Sequence, residues 1–313
     1  MKIKIIGAGI SGLTTAVLLS MRGHSMSIAA QDMPLASPSM IAGAIWHPFF
    51  QEPDELYFRR ARNTYETLVA YAGDLESGIL PRTLTEFVTP SDGSLWWTRG
   101  MSAVRDITSS KCIGDGSCAF EVPVFVADTP RYLAYLTNLF IELGGRLERS
   151  YIQNLEEQTD YFDFIINCSG YGASSLCNDC AIDLVRGVVV EIEKSSNFSG
   201  CFIDDRIAHR PTYVIERDTD CILGGTAETG FTGTLVDPKV VEDIVKRCEE
   251  MAPGISGARI KRTNVGFRPR RREVCLGFDT NNPKILHNYG HGGSGFTLSW
   301  GCANEIAQLI ESH

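Results

Sequence analysis

The sequence predicts an α/β fold that opens with a dinucleotide-binding βαβ unit and continues into a β-rich second part. A short apolar strand at residues 2–6 is followed at once by a Gly-x-Gly-x-x-Gly turn over residues 7–12 and then by an uncharged helical segment. Residues 25–30 read as the second strand of this unit. With 313 residues, 43% of them hydrophobic, the chain can form one large domain or two interleaved ones.

Each glycine of the turn has a physical reason in such a unit. Gly7 permits the tight turn, Gly9 lets the backbone approach a pyrophosphate, and Gly12 lets the helix pack close to the strand. Ile10 and Ser11 then lie at the helix N-terminus, which faces the phosphates of a bound dinucleotide. The context of strand, turn and helix makes the motif more specific than the glycines alone.

The acidic residue that this motif expects after its second strand is Asp32. At that distance from the glycine turn, a carboxylate binds the ribose hydroxyls of the dinucleotide. A solvated turn residue is the alternative for Asp32. The motif spacing favours the ribose role.

Helices and strands follow one another along the rest of the chain. Hydrophobic periodicity and turn residues predict helices at residues 56–71, 129–143, 238–251 and from 295 onward. The same criteria predict strands at residues 84–98, 120–126, 146–149, 162–168, 186–192, 212–216, 221–223, 260–267, 275–278 and 285–286.

Two segments of small residues are suited to close approach by a bulky planar ligand. Gly43 and Ala44 lie in the first, and Ser169 and Gly170 follow the buried strand at residues 162–168. Trp46 comes directly after the first segment, where it could line the ligand pocket or belong to the core. The local sequence does not decide between these two.

Composition argues against several classes of function. A net charge of -9 disfavours general binding to nucleic acid or anionic membranes, and no apolar run is long enough to span a bilayer. Ten cysteines without a secretory signal predict reduced thiols in a cytoplasm. Cys177 and Cys180 form a single Cys-x-x-Cys pair, which we interpret as ordinary thiols, and no metal site is predicted.

Two late segments sharpen the functional prediction. Residues 264–271 read Asn-Val-Gly-Phe-Arg-Pro-Arg-Arg, and residues 287–297 form a glycine-rich loop that opens a helix. The loop offers a second set of backbone amides to an electron-rich ligand. Its candidate binding residues are Gly292, Gly293, Gly295, Phe296 and Thr297.

Together with the N-terminal turn, these segments resemble the D-amino-acid oxidase family of FAD enzymes. The resemblance also includes residues 42–48, 167–170, 185–187 and 223–226, so it covers nearly the whole chain in order. It implies a Rossmann-type FAD-binding domain made of residues 1–50, 128–185 and 263–313. This domain would be interleaved with a β-rich (α+β) substrate domain made of residues 51–127 and 186–262.

The resemblance also implies roles for single residues. Arg271 falls on the arginine that binds the substrate carboxylate, although the run at residues 268–272 does not by itself choose among its arginines. Tyr213 falls on a second carboxylate-binding residue, and Gly293 where a carbonyl accepts from the substrate amine. His209 replaces a lid tyrosine found in vertebrate members. Arg268 and the small-residue positions described above are assigned to FAD.

The implied reaction is oxidative deamination of a D-amino acid. Hydride moves from the substrate Cα to flavin N5, the imino acid hydrolyses to a 2-oxo acid and ammonia, and oxygen is reduced to hydrogen peroxide. Arg206 is a weak indication of acidic substrates. The alternatives are an oxidase of glycine, sarcosine or another secondary amine, and a non-catalytic FAD-binding module. The expected partners are the amino acid and oxygen, and the expected state is a monomer or homodimer.

Overall fold

A computed structural model describes residues 1–48, 54–89, 94–111, 117–204, 206–207 and 210–313. Its strands are β1 (Lys2–Ile6), β2 (Ser25–Ala30), β3 (Ile79–Val88), β4 (Arg105–Asp106), β5 (Cys118–Ala127), β6 (Arg146–Arg149), β7 (Phe164–Asn167), β8 (Asp183–Glu193), β9 (Cys201–Asp204), β10 (Thr212–Glu216), β11 (Asp220–Gly224), β12 (Glu228–Thr229), β13 (Ile260–Phe278) and β14 (Ile285–His291). Its helices are α1 (Ile10–Met21), α2 (Glu55–Ala72), α3 (Thr108–Lys111), α4 (Thr129–Glu142), α5 (Ala173–Leu176), α6 (Pro238–Met251) and α7 (Gly295–Glu311).

The strands join into one sheet whose two halves differ in direction. The order is β4-β5-β3-β9-β10-β11-β8-β13-β14-β7-β1-β2-β6, with β12 paired to β8 beside it. From β14 to β6 all neighbours are parallel, as in a dinucleotide-binding fold. From β4 to β14 the pairs are antiparallel except β3 with β9. The α/β prediction is therefore confirmed, while the division into two domains stays a prediction.

Helices cover the sheet through apolar faces. In α1 nine residues are buried, and its side chains pack between the parallel strands and α7. The long helix α2 starts at Asp54, whose carboxylate accepts hydrogen bonds from the amides of Leu56 and Tyr57. Helix α6 packs Ile244 and Cys248 against the antiparallel half and forms a separate core there.

Most predicted elements are confirmed, and some differ from the prediction in their bounds. The predicted strand at residues 84–98 ends as β3 at Val88, and residues 94–98 form a 3-10 turn instead. The two strands predicted at residues 260–267 and 275–278 are one strand, β13, because pairing with β8 and β14 continues through the arginine run. Strand β9, which lies between β3 and β10 in the sheet, was not predicted.

The helices that the structure describes are too short or too polar to cross a membrane. Among the described residues, none combines the length and the apolar character that crossing a bilayer requires.

Candidate active site

A large cavity of about 890 Å³ lies where the parallel and antiparallel halves of the sheet meet. This is near the upper end of ordinary ligand cavities, roughly 300–1,000 Å³, as a dinucleotide together with a small substrate requires. Its walls come from the β1–α1 turn, residues 37–45, the segment after β7, and parts of β8, β10, β13 and β14. Ligands of open α/β sheets bind at this edge, outside the carboxyl ends of the parallel strands.

The glycine turn has the geometry that its sequence predicts. Gly7 has a φ of +110°, and a Cβ there would lie 2.4 Å from the carbonyl oxygen of Cys168. A Cβ on Gly12 would lie 2.0 Å from the carbonyl oxygen of Gly7, so the helix can approach the strand only with glycine here. Gly7 lines the cavity, whereas Gly12 and Gly9 shape the turn without lining it.

The start of α1 opens onto the cavity. Its N-cap residue, Gly9, has no side chain to cap the helix, and Ile10 and Ser11 line the cavity wall. The amide of Ile10 donates to Ser39 Oγ at 3.0 Å. The positive end of the helix dipole therefore faces the space where a pyrophosphate would lie.

Asp32 lines the cavity and is exposed, so it lies at the cavity rim. Ser169 and Gly170 also line the cavity. Residues 37–39 and 150–153 also line the cavity but were not predicted, since short polar loops carry no periodic signal. Exposed Tyr151 and Tyr171 flank this rim.

The late glycine loop forms another wall. Gly292, with a φ of +56°, and Gly293, Gly295 and Phe296 all line the cavity between β14 and α7. Thr297 differs from the prediction: its side chain is buried, and Oγ1 is 3.2 Å from both the amide and the carbonyl of His47. The Thr297 hydroxyl therefore holds the chain at His47 and does not line the cavity.

His291 precedes this loop and touches the start of α1. Its ring is at the cavity wall, Nδ1 lies 3.4 Å from Ser11 Oγ, and Nε2 is buried without a hydrogen-bond partner among the described residues. Burial, assisted by the positive charge of Arg60, lowers the pKa of His291 to about 4. The imidazole is therefore neutral near pH 7.

Arg268 extends into the cavity from β13. A Cβ on Gly187 would lie only 2.4 Å from Arg268 Nη1, so the guanidinium lies flat over Gly187 of the neighbouring strand β8. Nη1 donates to the carbonyl of Thr226 at 3.0 Å. No carboxylate within the described residues forms an ion pair with Arg268, so its charge is available to an anionic ligand.

Tyr213 lies on the same wall, on β10. A Cβ on Gly224 would lie 1.8 Å from Tyr213 Cζ, so the ring packs directly on the backbone of β11. A Cβ on Gly225 would lie 3.2 Å from the hydroxyl oxygen. Gly43, which we predicted to let a ligand approach closely, lines the cavity and packs against Ile215 and Tyr213. Ala44, the next residue, also lines the cavity.

Arg271 does not reach the cavity, which corrects its predicted role. Its Nε lies 2.9 Å from Asp179 Oδ2, and its aliphatic carbons pack where a Cβ on Gly290 would be. Burial raises the pKa of Asp179, but hydrogen bonds from the Ala181 amide and Tyr289, with the charge of Arg271, outweigh burial and lower it. Arg271 therefore forms an ion pair with Asp179 and is not among the residues that line the cavity.

Trp46 is also corrected, from the cofactor site to the core. It is 4% exposed, its Nε1 donates to the carbonyl of Ala61 at 2.8 Å, and its ring packs against Tyr65 and Trp97. The neighbouring His47 lines the cavity instead, with Nε2 at 3.1 Å from Glu86 Oε1.

Two further candidates concern the substrate side chain. His209 lies outside the described residues. Arg206 is bound to Asp204 through two contacts of 2.8 Å and does not line the cavity. In the parts of the chain that the structure describes, no group of three or more His, Cys, Asp or Glu side chains is placed to hold a metal ion.

Comparison with known proteins identifies the family of this cavity. The model of the family described as FAD dependent oxidoreductase matches residues 2–309. The D-amino-acid oxidase of Rubrobacter xylanophilus is 34% identical over 308 residues, which are 97% of this chain and 94% of that protein. The D-amino-acid oxidase of Streptomyces coelicolor is 33% identical over 314 residues, which are 98% and 96% of the two chains.

Solved structures show the same fold at low identity. Glycine oxidase from Bacillus cereus ATCC 14579 has a TM-score of 0.82 at 14% identity, over 99% of this chain and 95% of that one. L-proline dehydrogenase from P. horikoshii has a TM-score of 0.84 at 14% identity, over 99% and 93%. At these identities the likeness establishes the fold and says nothing about the substrate.

Proposed function

Since the chain belongs to the D-amino-acid oxidase family of FAD-dependent oxidoreductases, we propose that it oxidises a D-amino acid to a 2-oxo acid, ammonia and hydrogen peroxide. The observation that carries this proposal is the cavity wall formed by Arg268 and Tyr213. Both residues line the cavity that Gly7 of the glycine turn and Gly293 also line. A carboxylate and an amine on one carbon can meet all three groups only in a fixed orientation.

The residues at the other end of the cavity suit FAD. In this proposal the start of α1 faces the pyrophosphate, Asp32 accepts from the ribose hydroxyls, and Gly43 lines the wall against which a flat ring would lie. Gly292 and Gly295 line the same cavity. When bound, FAD supplies the oxidation itself, because its isoalloxazine accepts hydride from a substrate carbon.

The chain's own residues then bind and orient the substrate. The planar guanidinium of Arg268 offers two parallel charge-assisted hydrogen bonds to the substrate carboxylate. The hydroxyl of Tyr213 adds a third donor, and the carbonyl of Gly293 accepts from the amine. Arg268 therefore replaces Arg271 as the carboxylate-binding residue in our account.

The side-chain end of the cavity favours neutral, apolar substrates. Ile45, Ile203 and Ile215 line the wall near Tyr213, and burial of apolar surface contributes about 25 cal/mol per Å². Arg206, the candidate for binding an acidic side chain, is already paired with Asp204. We therefore expect aliphatic D-amino acids to be better substrates than acidic D-amino acids.

Two parts of the sequence prediction remain proposals here. A cytoplasmic setting rests on the cysteine content, and a monomer or homodimer on family resemblance. Oxidation of glycine or a secondary amine is the alternative reaction, which would use the same carboxylate-binding wall.

The test is the visible absorption spectrum of the purified protein under anaerobic conditions. We expect a flavin spectrum that is bleached by a mixture of D-amino acids and unchanged by the L-mixture. Within the D-series, kcat/KM for D-leucine or D-methionine should exceed that for D-aspartate by at least tenfold. Bleaching only by sarcosine or another secondary amine would establish the alternative, and no bleaching by any of them would contradict an oxidase.

A further inference from the structure

Arg247 of α6 is a buried arginine on the face of the sheet opposite the cavity. Its side chain is 9% exposed, and Nε lies 2.9 Å from Asp243 Oδ2. Its remaining nitrogens do not meet further carboxylates within the described residues. Instead, Nη1 donates to the carbonyl of Pro211 at 3.0 Å and to Thr212 Oγ1 at 2.6 Å, and Nη2 donates to the carbonyl of Gly225 at 3.2 Å.

These acceptors flank the carboxylate-binding wall in sequence. Pro211 and Thr212 come directly before Tyr213. Gly225 lies between Gly224, on which the Tyr213 ring packs, and Thr226, whose carbonyl accepts from Arg268. One guanidinium thus joins the backbone that carries Tyr213 to the backbone that holds Arg268.

The neighbouring residue of α6 acts on the same two segments. Cys248 Sγ lies 3.4 Å from the carbonyl of Tyr213 and 3.7 Å from that of Gly224. The Gly225 amide also donates to the carbonyl of Pro211 at 2.6 Å. A planar, charged donor with several fixed N–H groups is rigid in a way that lysine is not.

We propose that Arg247 is a positioning residue that fixes the spacing between Arg268 and Tyr213, and so determines how well the site binds a carboxylate. The inference rests on the proposed function, in which these two side chains bind the substrate carboxylate. It assigns Arg247 no contact with substrate or FAD. Misplacement of a binding group by about 1 Å can cost on the order of 100-fold in rate, so the effect is measurable.

The experiment compares Arg247→Met with Lys246→Met in the FAD-bound protein. Lys246 is the adjacent residue of α6, and its side chain is 77% exposed. For Arg247→Met we expect KM for the preferred D-amino acid and Kd for benzoate, a carboxylate without an amine, to rise about tenfold or more. We expect kcat and the Kd for FAD to change less than threefold, because α6 does not line the cavity.

A substrate without a carboxylate separates positioning from a general loss of structure. For the D-amino acid amide, Arg247→Met and wild type should have similar kcat/KM, because a neutral amide has one carbonyl oxygen and cannot form the bidentate guanidinium–carboxylate pair whose geometry Arg247 would set. An equal loss for acid and amide would overturn the inference, as would unchanged KM and benzoate binding. If Arg247→Met does not fold, Thr212→Val removes one acceptor of the Arg247 guanidinium. It is judged by the same comparison of kcat/KM for the D-amino acid and for its amide.

Failure of the proposed function has a different outcome. A wild-type protein that binds benzoate but oxidises no D-amino acid would contradict the proposed function, and the effect of Arg247→Met on benzoate binding would still test the positioning role.

Discussion

His291 is a residue of the cavity wall whose ionisation is altered by burial. Its neutral ring contacts Ser11, at the start of α1, and its Nε2 is enclosed by protein. Since desolvation lowers the pKa from 6.5 to about 4, the unfolded chain binds more protons than the folded chain between these pH values. The free energy of unfolding therefore falls as the pH falls from about 6.5 to about 4.

We predict that His291→Asn flattens this part of the pH profile. The contribution of His291 is up to about 3 kcal/mol, reduced by any water in the cavity. The measurement is the melting temperature of FAD-saturated protein from pH 4 to pH 7. His24→Asn is the control, since the pKa of His24 is also lowered, mainly by burial, at a site far from the cavity wall. Parallel profiles for wild type and His291→Asn would contradict the prediction.

At the scale of single residues, the sequence predicts which residue types form the site better than it predicts the direction in which each side chain points. Most of the predicted glycine and small-residue positions line the cavity, because their role follows from the lack of a side chain. Arg271 and Trp46 were misplaced, because side-chain direction depends on strand register and on packing partners. Within the arginine run, both Arg268 and Arg270 line the cavity. Alternation of side chains along a strand places these two on one face, but it does not say which face of the strand lines the cavity.

At the scale of elements, pairing between β8 and β13 builds the carboxylate-binding wall. Gly187 on β8 pairs with Gly266 and makes room for Arg268, two residues further along β13. Elements with strong periodicity, such as α6, were predicted to the residue. The full length of β13 was not, because its polar and arginine-rich middle is held by neighbours on both sides and not by its own pattern.

We predict that Gly187→Ala raises KM for the D-amino acid about tenfold to 100-fold and leaves FAD affinity unchanged. The new Cβ would lie 2.4 Å from Arg268 Nη1, so the guanidinium must move while the strands remain paired. Steady-state kinetics and FAD titration measure the two effects. Gly233→Ala is the matched control, since nothing lies within 4 Å of its Cβ position. Equal KM values for both variants would rule out the inferred place of Arg268.

At the scale of the whole molecule, one continuous sheet brings two kinds of site together. Its parallel half presents the start of α1 and Asp32, and its antiparallel half presents Arg268 and Tyr213. The N-terminal motif predicts the first half, and ordered family motifs predict the second. The distance between the halves is set by long-range strand pairing, which local sequence patterns do not encode.

The central claim, that Arg268 binds the substrate carboxylate, is tested most directly by anaerobic flavin reduction in Arg268→Met and Arg271→Met. Hydrogen bonds to charged groups contribute about 1.5–3 kcal/mol each, so loss of two should raise the apparent Kd for the D-amino acid at least 100-fold in Arg268→Met. Arg271→Met should keep a Kd within about threefold of wild type and lose thermal stability, because Asp179 loses the positive charge of its ion-pair partner. The reverse result, with weak substrate binding only in Arg271→Met, would contradict the account.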